Sequence, residues 1–162
     1  MTHYQGPQHI VESLDSFIKL MRAAESVGAR VHQQLPSHNL TISQFGVLEA
    51  LYHLGPMCQR QLAQKILKSS GNMTMVIDNL EKRNLVVRVR DVQDRRFFTI
   101  QLTPEGERLI AAIFPDQAQK IAEAFAVLDH NEKQELARLC KKLKPQNQPV
   151  LSSLSTPVND HV

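Results

Sequence analysis

The chain has 162 residues, of which 42% are hydrophobic and 22% are charged, and its formal net charge is +3. This length suits one domain with a hydrophobic core, and no apolar run approaches the roughly 18–20 residues of a membrane span. We expect a cytoplasmic protein, because the N-terminus lacks a signal-peptide pattern and the two cysteines, Cys58 and Cys140, make a poor disulfide framework.

A heptad pattern predicts a long first helix over residues 8–34. Its apolar residues alternate spacings of four and three: Ile10, Leu14, Phe17, Met21, Ala24, Gly28, Val31 and Leu35. This stripe is narrow, and one helix cannot bury it alone. Its partner therefore lies either in the same chain or in a second copy.

Two short helices are predicted next. Thr41-Ile-Ser-Gln44 has the spacing of a capping box, and Gly55-Pro56 ends the helix that it opens. The following helix covers about residues 60–67. The first of these helices runs through Phe45, Leu48, Leu51 and Leu54, and in the second Leu62, Ala63 and Ile66 face inward.

Ser69 and Ser70 can cap a further helix, which runs to about Arg83. Its apolar face consists of Met73, Val76, Ile77 and Leu80. Asn84 follows and suits a left-handed backbone conformation, which Asn tolerates better than most residues.

Residues 87–102 predict a β-hairpin with a charged tip. Val87 and Val89 alternate with Arg88 and Arg90, and Phe98, Ile100 and Leu102 alternate with Phe97, Thr99 and Gln101, which is the two-residue period of half-buried strands. The tip includes Asp94, Arg95 and Arg96. Arginine suits a narrow minor groove, and a carboxylate two residues away on the same side of a strand can orient its guanidinium.

The C-terminal part predicts two more helical segments. Thr103-Pro104-Glu105 is a strong helix start. This helix is interrupted at Pro115 and continues beyond it to Leu128. Asp129 caps a last helix. The apolar positions are Leu109, Ile110, Ile113, Phe114, Ile121, Phe125 and Leu128, then Leu136, Leu139 and Leu143. From Pro145 the composition is typical of a disordered tail.

Positive charge is concentrated in the centre of the chain. Residues 60–96 contain nine Lys or Arg and four acids, whereas the remainder is slightly acidic. Two short helices, a tight connection and a hairpin make a winged helix-turn-helix. The second helix presents Ser70, Asn72, Thr74, Met75 and Asn79, which suit base edges in a major groove, and Lys65 and Lys68 are candidate phosphate anchors.

The segment "LAQKILKSSGNMTMVIDNLEKRNLVVRVRDVQDRRFFTIQLTPEG", residues 62–106, resembles the core of the MarR family of transcriptional regulators. Its most specific elements are Leu80-Glu-Lys-Arg83 with Leu85, Asp94-Arg-Arg96, and Leu102-Thr103 with Gly106. The resemblance extends over about residues 8–143 and implies a mainly α fold with a small β-hairpin wing, dimeric through long terminal helices.

The resemblance also implies site residues. Arg96 falls at the wing arginine and Asp94 at its orienting partner, while Ser70, Asn72, Thr74 and Met75 fall at recognition-helix positions. Asn84 stands where the family often has glycine, and Met75 stands where arginine is frequent. The predicted DNA-binding set is Ser69, Ser70, Asn72, Thr74, Met75, Lys65, Lys68, Asp94, Arg95 and Arg96.

We expect one domain over 1–144, with a DNA-binding lobe at 42–103, dimerisation helices at 8–34 and 105–143, and a tail at 145–162.

Regulation and other function classes stay open at this point. The resemblance implies a repressor that releases DNA on sensing a small phenol, an electrophile or an oxidant, and two-fold symmetry predicts a pseudo-palindromic operator. The trigger is either a small phenolic or aromatic effector or the oxidation or alkylation of Cys58, and the alternative for Cys58 is a packing role. His32, His38, Glu49 and His53 lack tight metal-ligand spacing, so we predict no metal site and no cofactor. No catalytic motif is present, so we expect no enzyme. The alternative is a winged-helix protein-interaction module that does not bind DNA.

Overall fold

The structure is a computed structural model that describes residues 4–66, 69–90 and 98–143. The chain divides into two compact units, residues 1–124 and residues 125–162. The elements found in the described residues are, in chain order, α1 (Gln8–Val31), a 3-10 helix (Leu35–His38), α2 (Ile42–Leu54), β1 (Met57–Cys58), α3 (Gln59–Lys65), α4 (Ser70–Lys82), β2 (Val86–Arg90), β3 (Phe98–Leu102), α5 (Pro104–Ala124) and α6 (His130–Leu143).

The helix boundaries follow the predicted caps. At the start of α2, Thr41 Oγ1 accepts a hydrogen bond from the backbone of Gln44 and Gln44 Oε1 accepts one from the backbone of Thr41, so the capping box is confirmed. Gly55 ends α2 with φ of 78°. Ser69 caps α4, and Asn84 has the predicted left-handed conformation with φ of 55°.

The three strands form an antiparallel sheet in the order β1-β3-β2. The short strand β1 was not predicted, because two residues carry no periodicity. The buried face of β2 also differs from the expected one, since the alternation favours burial of Val87 and Val89. Val87 and Val89 are 40% and 39% exposed, whereas Val86 is buried. Arg88 shares the face of Val86 and is half-buried.

The core lies between α2, α3, α4, the sheet and the first half of α5. Most apolar residues of the predicted helices are buried, including Leu48, Leu62, Ile77 and Ile110, whereas Leu54 at the end of α2 is 57% exposed. The expected interruption at Pro115 was wrong, because α5 runs through this proline.

The heptad stripe of α1 divides into two parts. Val31 and Leu35 are 5% and 1% exposed and belong to the buried interior of this chain. Towards the N-terminus, Phe17 and Met21 are 59% and 51% exposed. Helix α1 ends at Val31 rather than at residue 34, and the 3-10 helix takes over at Leu35. Among the described residues, no helix is long and apolar enough to cross a membrane.

Candidate nucleic-acid interface

Helix α4 has one buried face and one exposed polar face. Met73, Ile77 and Leu80 are fully buried, which fixes the rotation of the helix about its axis. The opposite side exposes Asn72, Thr74, Met75 and Asn79, and Met75 is 62% exposed. Ser69 Oγ accepts a hydrogen bond from the backbone of Asn72 at 3.4 Å and caps the helix. The predicted recognition positions in the described residues therefore lie together at the N-terminal end of one helix.

The first residue of α3 contacts this exposed face. Gln59 Nε2 donates a hydrogen bond of 2.7 Å to Thr74 Oγ1. The bond joins the two helices of the helix-turn-helix on their solvent side and orients the threonine hydroxyl. Sequence reasoning missed Gln59, because the two residues are fifteen positions apart and no local spacing relates them.

Arg88 ties β2 to the inner flank of α4. Its Nη2 lies 2.5 Å from Asp78 Oδ1, its Nη1 contacts Glu81 Oε2, and its backbone N–H donates to Glu81 Oε1 at 3.3 Å. Partial burial lowers the pKa of Arg88, but the hydrogen bonds and charges of the two carboxylates outweigh this effect and raise that pKa above its ordinary value. The hairpin and α4 are therefore held in a fixed relation, and Arg88 is neutralised by its partners.

The sequence of this lobe matches a known family. A model described as the MarR family matches residues 40–97. The HTH-type transcriptional regulator MhqR of Bacillus subtilis (strain 168) is 37% identical over 132 residues, which are 82% of this chain and 91% of that protein. The chain belongs to the MarR family. It is therefore a helix-turn-helix transcriptional regulator, and the winged-helix prediction is confirmed.

Solved structures agree with this assignment. Bordetella bronchiseptica BpsR, whose DNA binding is regulated by 6-hydroxynicotinic acid, matches with a TM-score of 0.72 at 27% identity, over 81% of this chain and 99% of that one. The MarR-family regulator AbsC of Streptomyces coelicolor matches in fold, with a TM-score of 0.73 over 89% of this chain and 95% of that one.

The remaining predicted DNA contacts of this MarR-family chain fall into two groups. Lys65 is exposed in the last turn of α3. Lys68, Asp94, Arg95, Arg96 and the side chain of Ser70 lie outside the described residues. The structure therefore brings together Ser69, Asn72, Thr74 and Met75, and the residues assigned to the wing tip stay predictions.

Cys58 occupies the N-cap position of α3. Its side chain accepts from the backbone of Gln61, and Gln61 Oε1 accepts the Cys58 backbone N–H at 2.9 Å. The thiol is half-buried, whereas Cys140 is exposed on α6. Both cysteines are free.

A largely apolar cavity of about 970 Å³ opens beside α1, at the end remote from its exposed stripe. Its lining comes from the last turns of α1, the 3-10 helix and the start of α2, and includes Gly28, Ala29, His32, Leu35, Asn39 and Leu40. The sequence predicted neither the 3-10 helix nor its place in the cavity wall. Within the described residues, His32 Nδ1 is shielded from solvent and has no hydrogen-bonding partner. The cavity has the largely apolar walls that are usual in a small-molecule site.

Proposed function

We propose that this protein is a sequence-specific, homodimeric DNA-binding repressor of the cytoplasm, and that a small aromatic effector releases it from its operator. The observation that supports DNA binding best is the exposed face of α4. Asn72 and Thr74 offer amide and hydroxyl groups suited to base edges, and Met75 offers an apolar surface suited to a thymine methyl group. Buried residues and Gln59 hold this face in place.

The charge around α4 suits DNA rather than a protein partner. Residues 60–96 contain nine Lys or Arg and four acids, and two of the acids, Asp78 and Glu81, are paired with Arg88. We assign phosphate contacts to Lys65 and Lys68, with Ser69 and Ser70 at the helix start. By the family resemblance, Arg96 enters the minor groove and Asp94 orients it, and we include the neighbouring Arg95 in the DNA-binding set.

Exposed apolar residues on α1 support a homodimer. Ile10, Phe17, Leu20 and Met21 are 36%, 59%, 38% and 51% exposed on this helix. In the second unit, Leu136, Leu139 and Leu143 of α6 are 36%, 44% and 70% exposed on one helical face. Monomeric proteins rarely leave such stripes in water, and a second copy would cover them.

The cavity beside α1 supports a small aromatic effector. Its volume of about 970 Å³ and its largely apolar walls suit an aromatic ring. BpsR, which is 27% identical, has its DNA binding regulated by the hydroxylated ring compound 6-hydroxynicotinic acid. A ligand acts by preferring one spacing of the two recognition helices, with a typical coupling of roughly 1–3 kcal/mol.

DNA binding is tested by selecting duplexes from a random pool with the purified protein. We expect a pseudo-palindrome whose half-sites lie about one helical turn apart, because a two-fold dimer places two recognition helices in successive major grooves. Ultracentrifugation on the same sample should show a dimer at micromolar concentration. A stable monomer that enriches no duplex would favour the protein-interaction alternative instead.

Measurement of DNA release from this operator distinguishes regulation by a small effector from regulation by modification of Cys58. Wild type and Cys58→Ser should both release DNA with some member of a panel that contains 6-hydroxynicotinic acid, catechol and simple phenols, because the proposed site contains no sulfur. Cys58 is the competing sensor, since an N-cap thiol can be reactive, but it has no neighbouring cysteine in sequence to resolve an oxidised form. If a quinone or peroxide releases wild type but not Cys58→Ser, and phenols release neither, the effector proposal is wrong.

A further inference from the structure

Arg83 connects α4 to a distant part of the chain. It lies directly after α4, and its Nη1 donates a hydrogen bond of 2.5 Å to the carbonyl oxygen of Asn39. Its Nη2 donates to the carbonyl oxygen of His38 at 3.3 Å. One guanidinium therefore holds two consecutive carbonyls that are more than forty residues away in the sequence.

The two carbonyls belong to the 3-10 helix and turn whose residues form one wall of the cavity. Asn39 lines the cavity, as do Leu35 and Pro36 of the 3-10 helix that ends at His38. The wall is a closed turn: Asn39 is left-handed with φ of 54°, its N–H donates to Pro36 O at 2.9 Å, and Leu40 N–H donates to Leu35 O at 3.1 Å. Because this turn is internally bonded, it moves as a unit, and any displacement moves the carbonyls that Arg83 holds.

We propose that Arg83 is a positioning residue that transmits the position of the cavity wall to the recognition helix. This inference rests on the proposed function, since it assumes that α4 reads DNA and that the cavity takes a ligand. A molecule that fills the cavity displaces the 3-10 helix outward, and Arg83 carries this displacement to the C-terminal end of α4. Helix α4 is roughly 20 Å long at 1.5 Å per residue, so a small tilt at that end shifts Asn72 and Thr74 at the other.

A phosphate contact is the competing role for an exposed arginine that directly follows the recognition helix. The geometry disfavours it, because two of the guanidinium nitrogens already donate to the carbonyls of Asn39 and His38. The two roles predict different results. A phosphate contact contributes to the salt dependence of DNA binding, whereas a coupling residue does not.

The test is a double-mutant cycle that needs no identified ligand. Ala29→Phe places a ring in the cavity as a substitute for an effector, and Arg83→Met removes the two hydrogen bonds while keeping an apolar stem. Ala29→Phe should weaken operator affinity by about fivefold or more when Arg83 is present, and by less than about twofold in the Arg83→Met background. Lys82→Met is the matched control, since it removes the neighbouring charge of the same helix and should leave the full effect of Ala29→Phe.

Further measurements keep the result interpretable. The free energy of unfolding of each variant identifies a loss of affinity that comes from misfolding. Gly28→Leu repeats the filling at a position where an added Cβ meets no atom within 4 Å. Three results would overturn the proposal. Ala29→Phe and Gly28→Leu could weaken operator binding equally with and without Arg83, or they could have no effect in either background. The third is that Arg83→Met reduces the salt dependence of DNA binding. A wild-type protein that binds no duplex at all would instead show that the proposed function itself has failed.

Discussion

Replacement of Gly106 by alanine is expected to lower the free energy of unfolding by about 3 kcal/mol. A Cβ at this position would lie 1.9 Å from the carbonyl oxygen of Leu85 and 2.9 Å from its carbonyl carbon. These are backbone atoms in a tightly bonded junction: Thr103 N–H donates to Leu85 O at 3.1 Å, and Thr103 Oγ1 donates to Asn84 O at 2.6 Å. Neither side of the contact can move without breaking these bonds.

Denaturant unfolding at fixed protein concentration measures this effect, with Gly71→Ala as the control. Gly71 also lies in the first turn of a helix, but a Cβ there would meet no atom within 4 Å. We expect Gly71→Ala to leave stability within about 1 kcal/mol of wild type. Equal stability of the two variants would show that α5 does not approach Leu85 as closely as the structure indicates.

Replacement of Arg96 by alanine is expected to weaken operator binding by about 1.5–3 kcal/mol per protomer, or roughly 100- to 10,000-fold for the dimer, which loses both arginines. This expectation comes from the sequence resemblance, which places Arg96 at the wing arginine and Asp94 beside it. An arginine in a narrow minor groove experiences a strong negative potential, so its loss removes more than an exposed charge. Asp94→Ala should weaken binding in the same direction but by less, because the arginine remains and loses its orientation.

Titration of the selected operator with the variants measures this effect, with Arg90→Ala as the matched control. Arg90 carries the same charge on the same hairpin, but its guanidinium lies over the ring of Phe98, 5.2 Å from the centroid. The control should therefore lose less affinity than Arg96→Ala. Equal losses from the two variants would indicate a general charge effect rather than a specific wing contact.

The features that sequence predicted well are those fixed by neighbouring residues. The capping box at Thr41, the left-handed Asn84 and the N-cap at Thr103 each depend on a few adjacent positions, and each is confirmed. The buried face of α4 follows the 3.6-residue period, so Met73 and Ile77 were correctly assigned to the core.

The features that sequence did not predict depend on contacts between distant residues. Arg88 lies on the covered face of β2 because Asp78 and Glu81 neutralise it. The alternation of apolar and polar residues alone would place Val87 and Val89 on that face. Gln59 reaches Thr74 across the helix-turn-helix. Arg83 reaches the 3-10 helix, which itself has too few residues to show a period. Pairings of this kind become visible once the chain is folded.

The central claim is that the exposed face of α4 reads DNA sequence. The most direct measurement compares the affinities of wild type and Asn72→Ala for the selected operator and for a shuffled duplex, over a range of salt concentrations. We predict that wild type binds the operator at least about 1,000-fold more tightly than the shuffled duplex, with affinity that falls steeply with salt for both. Asn72→Ala should lose affinity for the operator by roughly 1–3 kcal/mol while keeping the same affinity for the shuffled duplex. Equal wild-type affinity for the two duplexes, or an affinity independent of salt, would contradict the claim.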